Sequence, residues 1–139
     1  EQFDWKRQIV DFRSMYQERR DAMVSALEEF LPMCQWNVPD GGFYVWVRLP
    51  EGLDAKDMLP RAVTSLVAYV SGTAFYAGGR AGQDHLRLSF CYPEPTEIRE
   101  GVRRLSGVVS RDLELLNLFG PTHSPHQSEG VHAPAPDQI

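Results

Sequence analysis

Arg87 is the side chain with the most chemistry in its setting. It stands in the run His85 to Phe90, HLRLSF, where strand alternation puts Leu86, Leu88 and Phe90 on one face and His85, Arg87 and Ser89 on the other. Residue type alone makes Arg87 a surface cation paired with a nearby acid. The other reactive side chains are more scattered. Cys34 and Cys91 lack C-x-x-C spacing and a companion histidine cluster, so they read as buried free thiols, neither a metal site nor a disulfide framework. His123, His126 and His132 have no companion cysteine or carboxylate to fix a metal geometry.

The elements that must position Arg87 follow from periodicity. From Trp5 the apolar residues recur as Ile9, Phe12, Tyr16, Met23, Leu27, Phe30 and Leu31, which is helical spacing for more than twenty residues. No clear capping residue precedes that pattern and no initiator Met opens the chain, so residue 1 is expected to be a cut within something longer. Turn residues Pro39, Asp40, Gly41 and Gly42 then lead into a strand, with Phe43, Val45, Val47 and Leu49 on one face and Tyr44, Trp46 and Arg48 on the other. Asp54 can cap a second helix with Met58, Leu59, Ala62, Val63 and Leu66 inward. Pro60 should bend it, so that the helix begins after the bend. The stretch LVAYVSG reads as a short strand, AGGRAGQD as a loop and HLRLSFCY as a strand. Pro95 opens a last helix with Ile98, Val102, Leu105, Val109 and Leu113 as its apolar stripe, ending near Phe119 and Gly120. Residues 120–139 carry too little apolar surface to offset ordering and are expected to be a disordered tail.

Helix, strand, helix, strand, strand, helix predicts an α+β fold over residues 1–119: a small, mainly antiparallel sheet with helices packed on one face. The other face would carry Tyr44, Trp46, Arg48, Arg87 and Ser89, an aromatic and cationic set that something should cover. With 139 residues, 42% hydrophobic and 24% charged, one core is expected. The net charge of −5 argues against a general binder of nucleic acid or anionic membrane. No apolar run approaches a membrane span and no signal peptide is evident, so a cytoplasmic protein is the expectation. A strand, helix, strand, strand, helix order with exposed aromatics also occurs in small RNA-binding folds, but the acidic balance, the long leading helix and the lack of a basic stripe speak against one.

The pieces YQERRDAMVSALEEFLP, W.VPDGGFYVWVRLPEG, AYVSGTAFYAGG and HLRLSFCY, followed by EIREGVRRL, carry a family likeness over about residues 13–110. In order and spacing the chain resembles the carboxyl-terminal small domain of class I/II aminotransferases. The similar branch includes aminoadipate and aromatic aminotransferase-like enzymes and the aminotransferase modules of MocR-type regulators. The resemblance implies a fold-type I enzyme that uses pyridoxal 5'-phosphate to move an amino group between an amino acid and a 2-oxo acid, working as a homodimer. It implies that Arg87 binds the substrate α-carboxylate, that Gly41 and Gly42 border the active-site cleft, and that Phe75 and Tyr76 lie near the substrate entrance. A planar guanidinium suits that task, since it donates two parallel hydrogen bonds and fixes the orientation of the acid.

In such enzymes the Schiff-base lysine, the aspartate on the pyridine nitrogen, the stacking aromatic and most phosphate contacts lie in a large domain. The two lysines here, Lys6 and Lys56, sit in no motif that could hold a cofactor aldehyde. The chain alone is therefore expected neither to bind pyridoxal phosphate nor to transaminate, and its partner would be the large domain of the same protein. A non-catalytic interaction or regulatory module of the same descent is the alternative. Two departures stand out. Leu66 replaces a usual glycine, which should remove a helix C-cap, and Ser71 replaces a usual proline, which should loosen a turn.

Overall fold

The computed structural model of the protein describes residues 4–120. The elements are helix α1 (Trp5–Phe30), strands β1 (Gln35–Trp36) and β2 (Tyr44–Arg48), helix α2 (Ala55–Thr64), strand β3 (Val70–Ser71), 3-10 turns at Gly72–Phe75 and Ala77–Gly79, strand β4 (His85–Ser89) and helix α3 (Pro95–Phe119). The four strands form one sheet in the order β1-β2-β4-β3, antiparallel at every pair. This is the expected α+β layer with one strand more, since the two-residue β1 is too short to leave an alternation in the sequence. The expected disordered tail lies outside the described residues beyond Gly120.

Alternation along β2 and β4 sorts the sheet. Val45, Val47, Leu86 and Leu88 are buried against Met23, Ala26 and Leu27 of α1, Met58 and Ala62 of α2, and Ile98, Val102, Leu105 and Val109 of α3. Each Val, Leu, Ile or Met side chain among them contributes about 1.5–3 kcal/mol through burial. Asp54 caps α2 by accepting from the backbone N–H groups of Lys56 and Asp57. The helix therefore starts at Ala55 and runs through Pro60, its sixth residue, rather than beginning after the bend. The capped first turn holds its geometry without the one hydrogen bond that Pro60 cannot donate.

Several inward assignments do not hold. Phe43 is 41% exposed, because it lies at the sheet end where its ring meets Tyr16, with centroids 4.8 Å apart, outside the core. Val63 and Leu66, at the carboxyl end of α2, are exposed. Cys91 is only half-buried, unlike Cys34. In α1, the stripe residues Trp5, Ile9 and Phe12 are exposed while Met23 and Leu27 are buried, so the amino half of the helix runs past the core.

The C-cap of α2 survives its leucine. Leu66 takes φ +62°, its N–H donates to the Val63 carbonyl, and the Val67 N–H donates to the Ala62 carbonyl. This is the double bond pattern that usually calls for glycine, here closed by a residue strained in the left-handed region. The turn at Ser71 is not loosened either. The Ser71 hydroxyl accepts from the Thr73 N–H at 3.4 Å and lies 3.0 Å from the Thr73 hydroxyl, so a side-chain cap stands in for the rigid ring.

Candidate functional site

The open face of the sheet is where the polar chemistry gathers. Arg87 sits mid-strand in β4, in register with Trp46 of β2 and Val70 of β3, and Tyr44 lies in register with Ser89. The Arg87 guanidinium carbon is 3.9 Å from the centre of the Tyr44 ring and 4.8 Å from that of Phe75. Phe75 meets Trp46 edge-on, centroids 4.9 Å apart at 72°. None of the side-chain ion pairs seen among the described residues involves Arg87. The acid partner that residue type alone predicts is absent among them; aromatic faces hold the cation instead. Rings engage a guanidinium through its π surface and leave its N–H edge, the part that matches two carboxylate oxygens, free to donate.

Two register positions away lies a second polar group, centred on Asp84, which the sequence did not reveal. Arg48 Nε donates to Asp84 Oδ2 at 3.0 Å, and His85 Nδ1 lies 2.7 Å from Asp84 Oδ1. Burial opposes the Asp84 charge, but the hydrogen bonds from His85 and Arg48 outweigh it and hold the carboxyl below its usual range. The Asp84 carbonyl accepts from Leu49 N–H and the Gln83 carbonyl from Ala55 N–H, so this group fastens the end of the glycine loop to the sheet. Its only trace in the sequence is an acid placed just before the strand, with Arg48 opposite once the register is known.

Of the residues expected near a substrate, the structure brings Phe75 to Arg87. Tyr76 turns away, its ring over Gly82, so close that a Cβ on Gly82 would lie 2.6 Å from it. Gly41 and Gly42 sit apart from Arg87. They line a groove of about 610 Å³ with Ile9, Phe12, Arg13 and Phe43, beside the projecting half of α1. The positive φ of Gly42, +78°, makes glycine there a requirement of the turn itself.

Arg19 also escaped the sequence reading. Buried in α1, it donates to the Cys91 carbonyl at 2.8 Å and to Glu94 Oε1 at 2.9 Å, tying α1 to the loop that follows β4. Cys34, buried in the core, has its thiol pushed up to about 11 by desolvation. Among the described residues no cluster of three histidine, cysteine or acidic side chains could hold a metal ion, and no helix is long and apolar enough to cross a membrane.

In sequence and in fold this chain matches the small domain of fold-type I aminotransferases, with its small antiparallel sheet and packed helices. It is 46% identical over 107 residues to the aromatic-amino-acid aminotransferase 1 of Thermococcus litoralis, covering 76% of this chain and 25% of that protein. It superposes on the Pyrococcus horikoshii kynurenine aminotransferase, solved with PMP, substrate and product, with a TM-score of 0.73 and 44% identity, covering 78% of this chain and 27% of that one. The Thermus thermophilus alpha-aminoadipate aminotransferase, solved with N-(5'-phosphopyridoxyl)-L-leucine, gives a TM-score of 0.70 and 38% identity, covering 74% and 26%. The chain thus spans about a quarter of the length of the relatives it matches. No protein-family profile matches it.

Proposed function

We propose that this chain is the small domain, residues 1–119, of a pyridoxal phosphate-dependent aminotransferase, and that Arg87 binds the α-carboxylate of the amino acid or 2-oxo acid substrate. One observation supports the reading: Arg87, in the strand that carries the family likeness, has no acid partner among the described residues and lies against two aromatic rings. A bidentate pair would orient the substrate, and closing this face against the rest of the enzyme would exclude water and strengthen the contact. Phe75 and, more distantly, Tyr76, Gly41 and Gly42 would line the cleft so formed.

The residues present fit the substrate end of such a site and not the cofactor. A pyridoxal aldehyde needs a lysine amine beside the bound acid. Lys6 is in the first turn of α1 near the Trp5 ring, and Lys56 is exposed in the first turn of α2, within the helical layer that covers the sheet's other face. The cofactor would then be held by a large domain elsewhere in a longer protein, and this chain alone would not transaminate. On this reading the intact enzyme is a cytoplasmic homodimer. The free thiols Cys34 and Cys91 favour a reducing compartment.

Grafting supplies the test. This chain, put in place of the matching 107 residues of the Thermococcus litoralis enzyme, should give a hybrid that transaminates, while the chain alone should show neither turnover nor a visible absorbance band with pyridoxal phosphate. A folded hybrid without activity, or an isolated chain whose band disappears in Lys56→Ala, contradicts the reading.

A further inference from the structure

We propose that Phe75 is a positioning residue for Arg87, seated by the glycine pair Gly72 and Gly82; the inference rests on the carboxylate role assigned to Arg87. An arginine with four rotatable side-chain bonds, a half-exposed setting and no acid partner would sample many orientations. Each would have to be given up on binding an anion. Here two rings converge on the guanidinium, Tyr44 at 3.9 Å and Phe75 at 4.8 Å. Tyr44 comes from β2, so the register of the sheet fixes it. Phe75 comes from a 3-10 turn and needs another source of rigidity.

Two contacts supply it. The Trp46 ring braces Phe75 edge-on at 4.9 Å, and Trp46 is itself in register with Arg87. Beneath the turn, Gly72 and Gly82 bring two backbones together without side chains. A Cβ on Gly72 would collide with the Gly82 carbonyl oxygen and come within 2.9 Å of His85, and one on Gly82 would come within 2.8 Å of the Gly72 backbone. That approach presses the start of the turn, three residues before Phe75, onto Gly82 and His85, five and two residues before Arg87. The Ser71 cap holds the turn's first bond. Phe75 and Arg87 are thus referred to one point of backbone, and the donor edge of the guanidinium is set before any anion arrives.

The experiment uses the full chain labelled with 15N-arginine and sodium acetate as the carboxylate probe, with sodium chloride at equal ionic strength as control. Hydrogen exchange at Arg87 Nε–H and contacts from the Tyr44 ring report orientation, and the acetate titration reports affinity. Phe75→Leu keeps apolar bulk and removes the π face. It should quicken Nε–H exchange and weaken acetate by about two- to fivefold, the scale of ordering one side chain on binding. Phe75→Tyr should restore both, and Gly82→Ala should reproduce the Phe75→Leu phenotype with Phe75 intact. Unchanged exchange and affinity in Phe75→Leu, with the backbone amide spectrum retained, would overturn the proposal. If acetate failed to bind even the parent chain, the carboxylate role would fall, while the exchange rates would still decide whether Phe75 orders Arg87.

Discussion

The two faces of this sheet are made from the same strands and differ in nearly every physical respect. Val45, Val47, Leu86 and Leu88 look into the helices and are at most 5% exposed, whereas Tyr44 and Trp46, one residue out of phase, are about two-fifths exposed. The covered face is held by the removal of carbon from water. The open face is held by directional contacts: a guanidinium on rings, and Asp84 between Arg48 and His85. A region that holds the fold tolerates little change of volume, and a region that holds a ligand tolerates little change of orientation. Substitutions on the first face should therefore move stability, and those on the second should move affinity.

The largest stability effect belongs to the covered face. Leu86→Ala empties a fully buried position and should cost about 2–5 kcal/mol in urea unfolding. Less than about 1 kcal/mol would mean that the strands are not clamped as described. On the helical side Leu66→Gly should act in the opposite direction, raising stability by about 1 kcal/mol through relief of left-handed strain at an exposed site. A pH-dependent effect follows from Cys34. Burial pushes its folded thiol from the ordinary 9.0 up to about 11, so the folded state binds the proton more tightly than the unfolded chain does. The contribution is complete below pH 9 and is lost as pH rises toward 11. Unfolding curves taken across that window should fall less steeply for Cys34→Ala than for the parent. Smallest of all is Arg87→Ala on the open face, expected to shift stability by no more than about 1 kcal/mol, the scale of an exposed cation–π contact. A larger loss would make Arg87 a structural residue and dissolve the distinction between the faces.

How much of this was legible depended on the range of the interaction. The long helices, the Asp54 cap and the faces of β2 and β4 follow from local periodicity, which a chain carries in its own order. Arg87's direction was legible for the same reason. Its surroundings were legible in part: alternation puts Tyr44 on the same face, but Phe75 reaches Arg87 only through a turn that no local pattern encodes. The inward assignment of Phe43 and Val63 failed at element ends, where periodicity continues but the core does not. Leu66 shows the reverse case: a residue ill-suited to a C-cap keeps it, since the bonds from Leu66 and Val67 back to α2 outweigh the strain.

The claim that Arg87 is a carboxylate ligand, and not one more surface cation, is tested most directly by kinetics in the grafted enzyme. Arg87→Ala should lower kcat/KM for transamination by a factor of about 30 to 5,000, corresponding to about 2–5 kcal/mol. Arg87→Lys should recover only part of the loss, because an ammonium keeps the charge without the two-point geometry. A kcat/KM for Arg87→Ala within about twofold of the parent, less than 1 kcal/mol, would contradict the account.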